Sequence, residues 1–465
     1  MEKQNEEEKD SNFDLLLSLP KELGLKVLTY LSGQELSTVC KVSKNWRELA
    51  NCNLLWKKLC SMESICDLND SITEQIESEN DGNDLEPQCR WSKIYVEKMR
   101  LYSNWAGDNY TWMSIDQEKQ STYKAINSSV DVYNNILAVA YWVDSVPTVD
   151  IFDIKSNCLQ QLQTISLPFT IDRDSVGVCI NGSLLVIELS NISVIYKYEN
   201  GKFIYEILVV PDMKTICPTG EDQQFVQNYH NCVRCWTLCL AGRFIWYQAT
   251  SAIIIYDRNT QTFRNMDDIL QVVAVDIHGE LIVVQCPHSV RVFYVDGKLL
   301  YTYSANTNMF YTGLVMSSTS FAFLQSEDFS DPHVVQVELR TWKIYRETQL
   351  RVYRVTLHKN AIFLLSQDPF SLTSMSHGDV KWRNSIRGTK YLRPGKDFFT
   401  VICSRYIFVC PSLARLDVFS LYDVNSGDHL YDTTLGASSY NIQTVSDSCL
   451  VVYSKKSAIN IRSYV

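Results

Sequence analysis

The feature that most constrains the fold is a short apolar segment that recurs eight times between residues 110 and 465. Each copy is rich in Val, Ile, Leu, Phe and Tyr, and a polar break separates it from a second apolar segment. The copies follow one another at a mean spacing of about 45 residues, which is the length of a β-propeller blade. The eight segments are 136–139, 184–187, 244–247, 281–284, 321–324, 362–365, 406–409 and 450–453.

The residue pattern of this region predicts an all-β propeller. Short β-branched and aromatic runs alternate with Asn, Gly, Asp and Ser turns, as in sheets of short strands. Eight copies favour eight blades, and the uneven spacing leaves seven blades open. The longest interval includes residues 210–229, which we expect to form a surface loop. Residues 110–115 are strand-like, and we predict that they supply the outer strand of the last blade and close the ring.

The second apolar segment of several copies carries a degenerate motif. Residues 151–154, 255–260 and 421–427 each place an aspartate directly after Phe or Tyr. These segments resemble the W-D end of a WD repeat, with another aromatic residue in place of Trp. The Gly-His element of such repeats is essentially missing, and the lack of any Gly-Gly pair disfavours a kelch propeller. We therefore predict a divergent propeller of the WD type.

The segment 13–60 is dense in leucine and has helical periodicity. Pro20 suits the first turn of a helix, and Ser32 and Glu35 form the capping-box pattern that starts another. Three or four short helices are expected, and so small a bundle has little core of its own. Its apolar stripes are therefore expected to bury against a partner or a neighbouring domain as well. A helical bundle without a partner would show the same periodicity.

The spaced motifs of this segment resemble an F-box. The family pattern LPxE, I/V-L-x-x-L, D/E-L, V-C/S-K-x-W and L-W is met in order. Gly24 departs from the aliphatic residue of the family, and Ser32-Gly33 replaces its usual Asp-Pro turn. The resemblance implies binding to the Skp-type adaptor of a cullin–RING ubiquitin ligase. The matching residues, which would pack on the adaptor or hold the domain together, are Leu19, Pro20, Leu23, Val27, Leu28, Leu31, Leu36, Val42 and Trp46.

The net charge of −10 is concentrated in two segments. Residues 62–88 hold nine carboxylates and no Lys or Arg, and residues 1–12 carry a net charge of −3, which leaves +2 for the remainder. Such an acidic insertion is expected to be solvated and loosely ordered, with a role in docking as the alternative. The near-neutral remainder weakens the electrostatic argument against nucleic acid, but the architecture still disfavours it as a partner.

A connector helix is expected after the acidic insertion. Residues 91–100 place basic side chains near the C-terminal end, as the helix dipole favours, and Asn104-Trp105 follows. This stretch resembles the connector between the F-box and the propeller of WD-repeat F-box proteins. The predicted organisation is an acidic disordered tail over 1–12, an F-box over 13–60, an acidic insertion over 61–90, a connector helix over 91–109 and the propeller over 110–465.

Residues that could carry chemistry are sparse. The chain has no P-loop, GxGxxG, GxSxG or HExxH motif, so we expect no catalytic residues and no cofactor. One cluster resembles a zinc site, but a single CxxC with a nearby His is weak, so we expect no metal and favour ordinary core or loop cysteines. The cluster consists of His230, Cys232, Cys235 and Cys239.

Compartment and substrate contacts are also constrained. The acidic N-terminus and the absence of a long apolar run predict neither a secretion signal nor a membrane span. The 15 cysteines are then expected to be reduced, in the cytoplasm, the nucleus or both. Arg234, Arg243 and Arg291 are candidates for a pocket that pairs with phosphate, and ordinary surface arginines are the favoured interpretation.

The leading hypothesis is therefore a non-catalytic substrate receptor of an Skp–cullin–F-box ubiquitin ligase. The F-box would bind the adaptor, and the propeller would capture a protein substrate, whose phosphorylation the sequence leaves open. The second hypothesis is a propeller scaffold that binds the adaptor without recruiting a target for ubiquitination. The third is a propeller enzyme, against which the lack of a catalytic constellation counts.

Overall fold

The chain divides into two compact units, Met1–Tyr102 and Ser103–Val465. The residues that the computed structural model describes are 19–62, 89–115, 129–133, 135–155, 158–168, 176–189, 192–209, 236–241, 243–248, 253–266, 269, 272–304, 313–326, 333–347, 352–367, 370–386, 398–410, 418–434, 441–453 and 459–465.

The described part of the first unit is helical, as the periodicity predicted. Ser32 begins the second helix with a full capping box, since its hydroxyl accepts the Glu35 N–H at 3.3 Å and its own N–H donates to Glu35 Oε2 at 2.7 Å. Ser43 caps the third helix by accepting the Trp46 N–H at 3.2 Å. The helices are α1 (Lys21–Leu28), α2 (Gly33–Val39), α3 (Lys44–Ala50), α4 (Asn53–Met62) and α5 (Arg90–Ala106), and α5 ends in the second unit.

The core of the first unit forms around Trp56, which is buried in α4. Its indole N–H donates to the Ala50 carbonyl at 2.9 Å, and its ring lies 5.4 Å from the ring of Tyr95 in α5. The Cys89 N–H donates to Asn51 Oδ1 at 2.7 Å, just before α5 begins. The start of the connector helix is thus part of the helical core rather than a separate element.

The second unit contains eight four-stranded antiparallel sheets, and each sheet is a propeller blade in which consecutive strands are neighbours. The prediction of eight blades is confirmed. The strands of blades 1 to 4 are β2 (Ser129–Tyr133), β3 (Ile136–Val143), β4 (Val146–Ile154), β5 (Leu159–Ser166), β6 (Val176–Asn181), β7 (Leu184–Leu189), β8 (Ile192–Glu199), β9 (Lys202–Val209), β10 (Trp236–Ala241), β11 (Phe244–Gln248), β12 (Ile253–Asp257), β13 (Thr262–Met266), β14 (Ala274–His278), β15 (Leu281–Cys286), β16 (Ser289–Tyr294) and β17 (Leu299–Ser304).

Blades 5 to 8 repeat this order, with the fourth strand of blade 8 taken from the start of the unit. The strands are β18 (Val315–Met316), β19 (Ser320–Gln325), β20 (His333–Glu338), β21 (Ile344–Glu347), β22 (Val352–His358), β23 (Ala361–Gln367), β24 (Phe370–Ser376), β25 (Asp379–Ser385), β26 (Phe398–Ile402), β27 (Tyr406–Cys410), β28 (Val418–Asp423), β29 (His429–Thr434), β30 (Asn441–Val445), β31 (Cys449–Tyr453), β32 (Ile459–Ser463) and β1 (Thr111–Ser114).

The eight apolar segments found in the sequence begin each repeat in the sequence pattern, but in the structure they are the second strands of the blades. Second strands such as β19 and β27 are buried along their whole length, because strands cover them on both sides within the sheet and neighbouring blades pack on both faces. Fourth strands such as β25 alternate between exposed and half-buried residues. The sequence pattern therefore detects the central hairpin of each blade and misses its edges.

Each blade has two ends with different connections. Because neighbouring strands are antiparallel, the turns between first and second strands lie at the same end as those between third and fourth strands. We call this end the turn face; Lys359 and His377 lie on it in blade 6. We call the opposite end the loop face, where the second strand connects to the third and each blade connects to the next.

Apolar side chains join the blades to one another. Buried clusters lie between blades 8 and 1 and between each successive pair from blades 1 and 2 to blades 6 and 7. First strands of successive blades are neighbours, as β14 and β18 are, and β30 lies beside β2. Each blade thus buries both faces, which accounts for the nearly continuous apolar second strands.

The ring closes through β1, as predicted for residues 110–115. Thr111 pairs with Ser463 and Ser114 with Asn460, so the start of the unit is antiparallel to the last strand of the chain. The Ser114 hydroxyl adds a bond of 2.8 Å to Asn460 Oδ1. Three strands from the C-terminus and one strand from the start of the unit therefore complete blade 8.

A polar and aromatic cluster lies beside this closure, at blades 7 and 8. Trp105, at the end of α5, stacks on Tyr464 with ring centres 3.6 Å apart and donates its indole N–H to the Asp447 carbonyl at 2.6 Å. Arg462 is 1% exposed, with its guanidinium 4.0 Å from the Tyr110 ring centre and 3.6 Å from Asp108 Oδ1. Stacking and charge pairing therefore anchor residues 103–110 to the last two blades.

Two carboxylates cross between first strands of neighbouring blades. Asp131 in β2 accepts the Ile180 N–H of β6 at 2.8 Å, and Asp276 in β14 accepts the Met316 N–H of β18 at 2.7 Å. Desolvation raises the pKa of both carboxyl groups above the ordinary value, although the same backbone N–H groups oppose the rise. The ionised carboxylates therefore act as bridges whose burial has an electrostatic cost.

Replacing Arg462 tests the cluster at the closure. Arg462→Met removes the cation beside Asp108, whose side chain is 26% exposed, and we expect the free energy of unfolding to fall by about 1–3 kcal/mol. Arg462→Lys keeps the charge but loses the planar stacking and the forked donors, so an intermediate loss is expected. Thermal unfolding of the full chain measures both variants. An unchanged midpoint for Arg462→Met would show that the contacts of Arg462 contribute nothing to stability.

The bridge at Asp276 predicts a pH dependence. Because its pKa is higher in the folded chain than in the unfolded chain, the folded state takes up the proton first as the pH falls. Asp276→Asn removes this gain, so the wild-type midpoint should rise relative to that of the variant as the pH falls towards the ordinary aspartate pKa of about 4. The exposed Asp296→Asn variant is the control and should follow the wild type. Parallel curves for wild type and Asp276→Asn would contradict the assignment.

Candidate functional site

The residues predicted to form the adaptor site fall into three groups in the structure. Leu28 and Leu36 are each 1% exposed and belong to the helical core. Leu19, Leu31 and Trp46 are half-buried. The exposed members of the predicted site are Pro20, Leu23, Val27 and Val42.

Within residues 19–62, three further large apolar residues are exposed, and the sequence motifs did not single them out. Tyr30 is 81% exposed at the end of α1, and Leu54 and Met62 are 73% and 65% exposed on α4. The sequence could have indicated their exposure, because they do not fall at the helical spacing of the buried residues. Together with Leu23, Val27 and Val42, they form what we call the exposed apolar set.

A groove of about 650 Å³ lies between α1 and α4. Leu25, Tyr30, Leu54 and Met62 supply its apolar lining, and Glu22, Lys26 and Lys58 contribute charges. Because Leu23 and Val27 are not among its lining residues, the groove and the Leu23–Val27 side of α1 are separate parts of the surface. Both parts could bury apolar side chains of a partner.

Ser32 and Gly33, which stand in the turn between α1 and α2 where the F-box pattern has Asp-Pro, each make a specific contact. The Ser32 backbone N–H and hydroxyl lower the pKa of Glu35, which favours the ionised carboxylate at the start of α2. A Cβ atom on Gly33 would lie 2.2 Å from the Tyr95 ring, so the ring of α5 packs directly on the glycine backbone. Gly33 is therefore required by a contact with residue 95, which is distant in sequence.

The three arginine candidates do not come together among the described residues. Arg243 lies on the turn face of blade 3, where it pairs with Asp257 at 3.2 Å and covers the Phe244 ring at 4.5 Å. Arg291 lies in β16, near the loop face of blade 4. Arg234 lies outside the described residues, as does most of the chain that connects one blade to the next. The predicted surface loop 210–229 also lies outside them.

The zinc candidates lie largely outside the described part of the chain. His230, Cys232 and Cys235 are not described, and Cys239 lies in β10. Among the described residues, no three or more His, Cys, Asp or Glu side chains are grouped so that they could hold a metal ion. No helix in the described ranges has the length and apolarity needed to cross a membrane.

Comparison with known proteins identifies the first unit. Residues 16–62 match the F-box-like family model. Among curated proteins, the F-box/WD repeat-containing protein 7 of Drosophila melanogaster is 32% identical over 92 residues, covering 20% of this chain and 7% of that protein. A probable E3 ubiquitin ligase complex SCF subunit sconB of Arthroderma benhamiae is 25% identical over 114 residues, covering 20% of this chain and 17% of that protein.

These matches span less than a fifth of each relative's length. Among solved structures, that of BamB from Moraxella catarrhalis aligns with a TM-score of 0.45 and 11% identity, covering 76% of this chain and 96% of that one. The protein thus carries an F-box-like domain at its N-terminus, followed by an eight-bladed β-propeller, and its relatives are F-box/WD repeat proteins.

The contact between Gly33 and Tyr95 gives a direct test of how the F-box-like domain holds α5. Gly33→Ala forces a methyl group into the Tyr95 ring, so we expect a loss of about 1–3 kcal/mol in the packing of α5. Hydrogen exchange of residues 90–102 in the full chain should accelerate. The control is Gln34→Ala, an exposed change on the same helix turn, which should leave exchange unchanged. Equal exchange in the two variants would contradict the contact.

Proposed function

We propose that this protein is a substrate-receptor subunit of an Skp–cullin–F-box ubiquitin ligase. The F-box-like domain binds an Skp-type adaptor, and the propeller binds a protein substrate. The observation that carries the proposal is the exposed apolar set on an F-box-like domain. One relative is named as a probable SCF subunit, which supports the same assignment.

The exposed apolar set supports the adaptor contact on physical grounds. Leu23 and Val27 lie one helical turn apart on α1 and are 49% and 47% exposed, and Val42 is 62% exposed before α3. Burying a large aliphatic side chain from full exposure contributes about 1.5–3 kcal/mol. A partner that covers these side chains would therefore gain free energy at no cost to the domain core, to which Leu28 and Leu36 belong.

The propeller supports the second half of the proposal through its architecture. Its blades are rigid, because seven interfaces are filled by apolar clusters, and the strand ends that lead from one blade to the next lie on the loop face. Loops held by a rigid scaffold are the common place for protein recognition. We assign substrate capture to the loop face.

The proposed role requires no chemistry from the chain itself. A receptor accelerates ubiquitin transfer by holding a substrate lysine near the charged conjugating enzyme, which raises the effective concentration of the reacting groups.

Adaptor binding is tested by charging the exposed side of α1. In the variant Leu23→Lys/Val27→Lys, both changes keep helix propensity but place ammonium groups in an apolar interface, so adaptor affinity should fall about 100-fold. Isothermal titration of the full chain with purified adaptor measures the affinity. The matched control is Leu299→Lys/Val380→Lys, since these propeller residues are 49% and 46% exposed. The control should bind the adaptor as the wild type does.

Equal binding by the α1 variant and the wild type would overturn the adaptor contact. A second measurement separates the receptor from a scaffold. Depleting the protein from cells should stabilise at least one propeller-bound protein, and restoring the wild type but not the α1 variant should return its turnover. Capture of the adaptor without any stabilised protein would favour the scaffold.

A further inference from the structure

Positively charged side chains gather on the turn face of blades 5 and 6. Arg340 and Lys343 lie between β20 and β21, Lys359 lies between β22 and β23, and Lys381 lies near the start of β25. All four are exposed. We call these four residues the basic surface.

Short contacts hold the two blades together at this surface. The Lys359 carbonyl accepts the Ser317 hydroxyl at 2.7 Å and the Thr319 hydroxyl at 2.9 Å, which fixes the turn of blade 6 against that of blade 5. The Lys343 ammonium lies 4.9 Å from the Tyr345 ring centre, and that ring contacts the ring of His377 at 5.6 Å. The cations of both blades therefore share one structured surface rather than separate mobile tips.

The cations of the basic surface differ from Lys197 and Arg243 on blades 2 and 3 in their ion pairs. Elsewhere, Lys197 pairs with Glu199 at 2.9 Å, and Arg243 pairs with Asp257 at 3.2 Å. Within the described ranges, no carboxylate lies within ion-pair distance of any of the four cations of the basic surface. The attraction that intramolecular pairs absorb on other blades remains available here to an external anion.

The local charge balance is opposite to that of the whole chain. At the turn-face ends of blades 5 and 6, residues 338–344, 358–360 and 376–381 contain four Lys and Arg residues and two Asp and Glu residues, whereas the chain carries −10 overall. Ile344 and Val380 lie among the cations and are 39% and 46% exposed. A surface that offers both cations and aliphatic side chains matches a peptide with acidic and apolar residues better than it matches a nucleic acid backbone.

The position of the basic surface separates it from substrate capture on the loop face. Trp105 donates to the Asp447 carbonyl in the turn between β30 and β31, so the end of α5 also lies on the turn face. We propose that the basic surface is a second binding site, which takes an acidic segment of a partner protein containing aliphatic residues. The site lies on the face of the propeller that holds the end of the connector helix.

Such a site would chiefly raise the association rate of its partner and the specificity of binding. Unpaired cations on a structured surface attract an acidic segment at long range, and the attraction weakens as salt screens it. The aliphatic contacts at Ile344 and Val380 then select acidic segments that also carry apolar residues. The site would bind its partner whether or not the loop face is occupied.

The test uses a dye-labelled peptide of about ten residues made of Glu, Asp and Leu, titrated into the full chain and followed by fluorescence anisotropy. Binding should weaken by about tenfold or more between about 50 and 300 mM salt. In the variant Lys343→Glu/Lys359→Glu/Lys381→Glu, affinity should fall about tenfold or more at low salt. A peptide with Gln and Asn in place of the acids should not bind.

The matched control is Lys197→Glu/Lys202→Glu/Lys298→Glu, which makes the same change in net charge at exposed lysines of other blades and should keep wild-type affinity. Equal losses of peptide affinity in the two triple variants would show that net charge alone causes the effect, which would contradict the proposed site. Tighter binding of a single-stranded RNA with the same charge would assign the surface to nucleic acid instead. Adaptor binding should be unchanged in both variants, so this proposal and the proposed function fail independently.

Discussion

The pairing of β1 with β32 is the interaction on which the propeller depends. A ring of sheets has no free end only if some strand joins the last blade to the beginning of the unit. Four residues, Thr111–Ser114, provide that strand, and their register with Ser463 to Asn460 aligns the two ends of the unit. Seven apolar interfaces hold the blades in place, and Met113 of the closing strand belongs to the one between blades 8 and 1.

The same closure explains why a charged side chain is buried there. The segment that enters β1 comes directly from α5, and Trp105, Asp108 and Tyr110 all contact residues of blade 8. Arg462 pairs with Asp108 of that segment while its planar guanidinium packs on aromatic rings. One cluster thus both seals the ring and fixes residues 103–110 on the last two blades.

Much of the fold could be predicted because its strongest determinants are local. The central hairpins appear in the sequence as apolar runs, because strands such as β19 are buried on both faces. The capping box appears as a Ser and a Glu three residues apart, at Ser32 and Glu35. Fourth strands such as β25 could not be found this way, because their exposed faces accept polar residues. The F-box motif located the candidate adaptor site, and Leu23 and Leu28 belong to the same apolar stripe in the sequence. Only the structure shows that Leu28 is buried in the core whereas Leu23 is exposed.

The sequence by itself determined the class of the protein: a short helical module with F-box spacing, followed by eight blade-length repeats. These follow from periodicity and motif order, which are properties of neighbouring residues. Only the tertiary structure showed that the Tyr95 ring packs on Gly33. It also showed which apolar residues of the helical module are exposed, and that cations from two blades lie on one face of the propeller. Each of these depends on residues distant in the chain that only packing brings together, and no local pattern records such contacts.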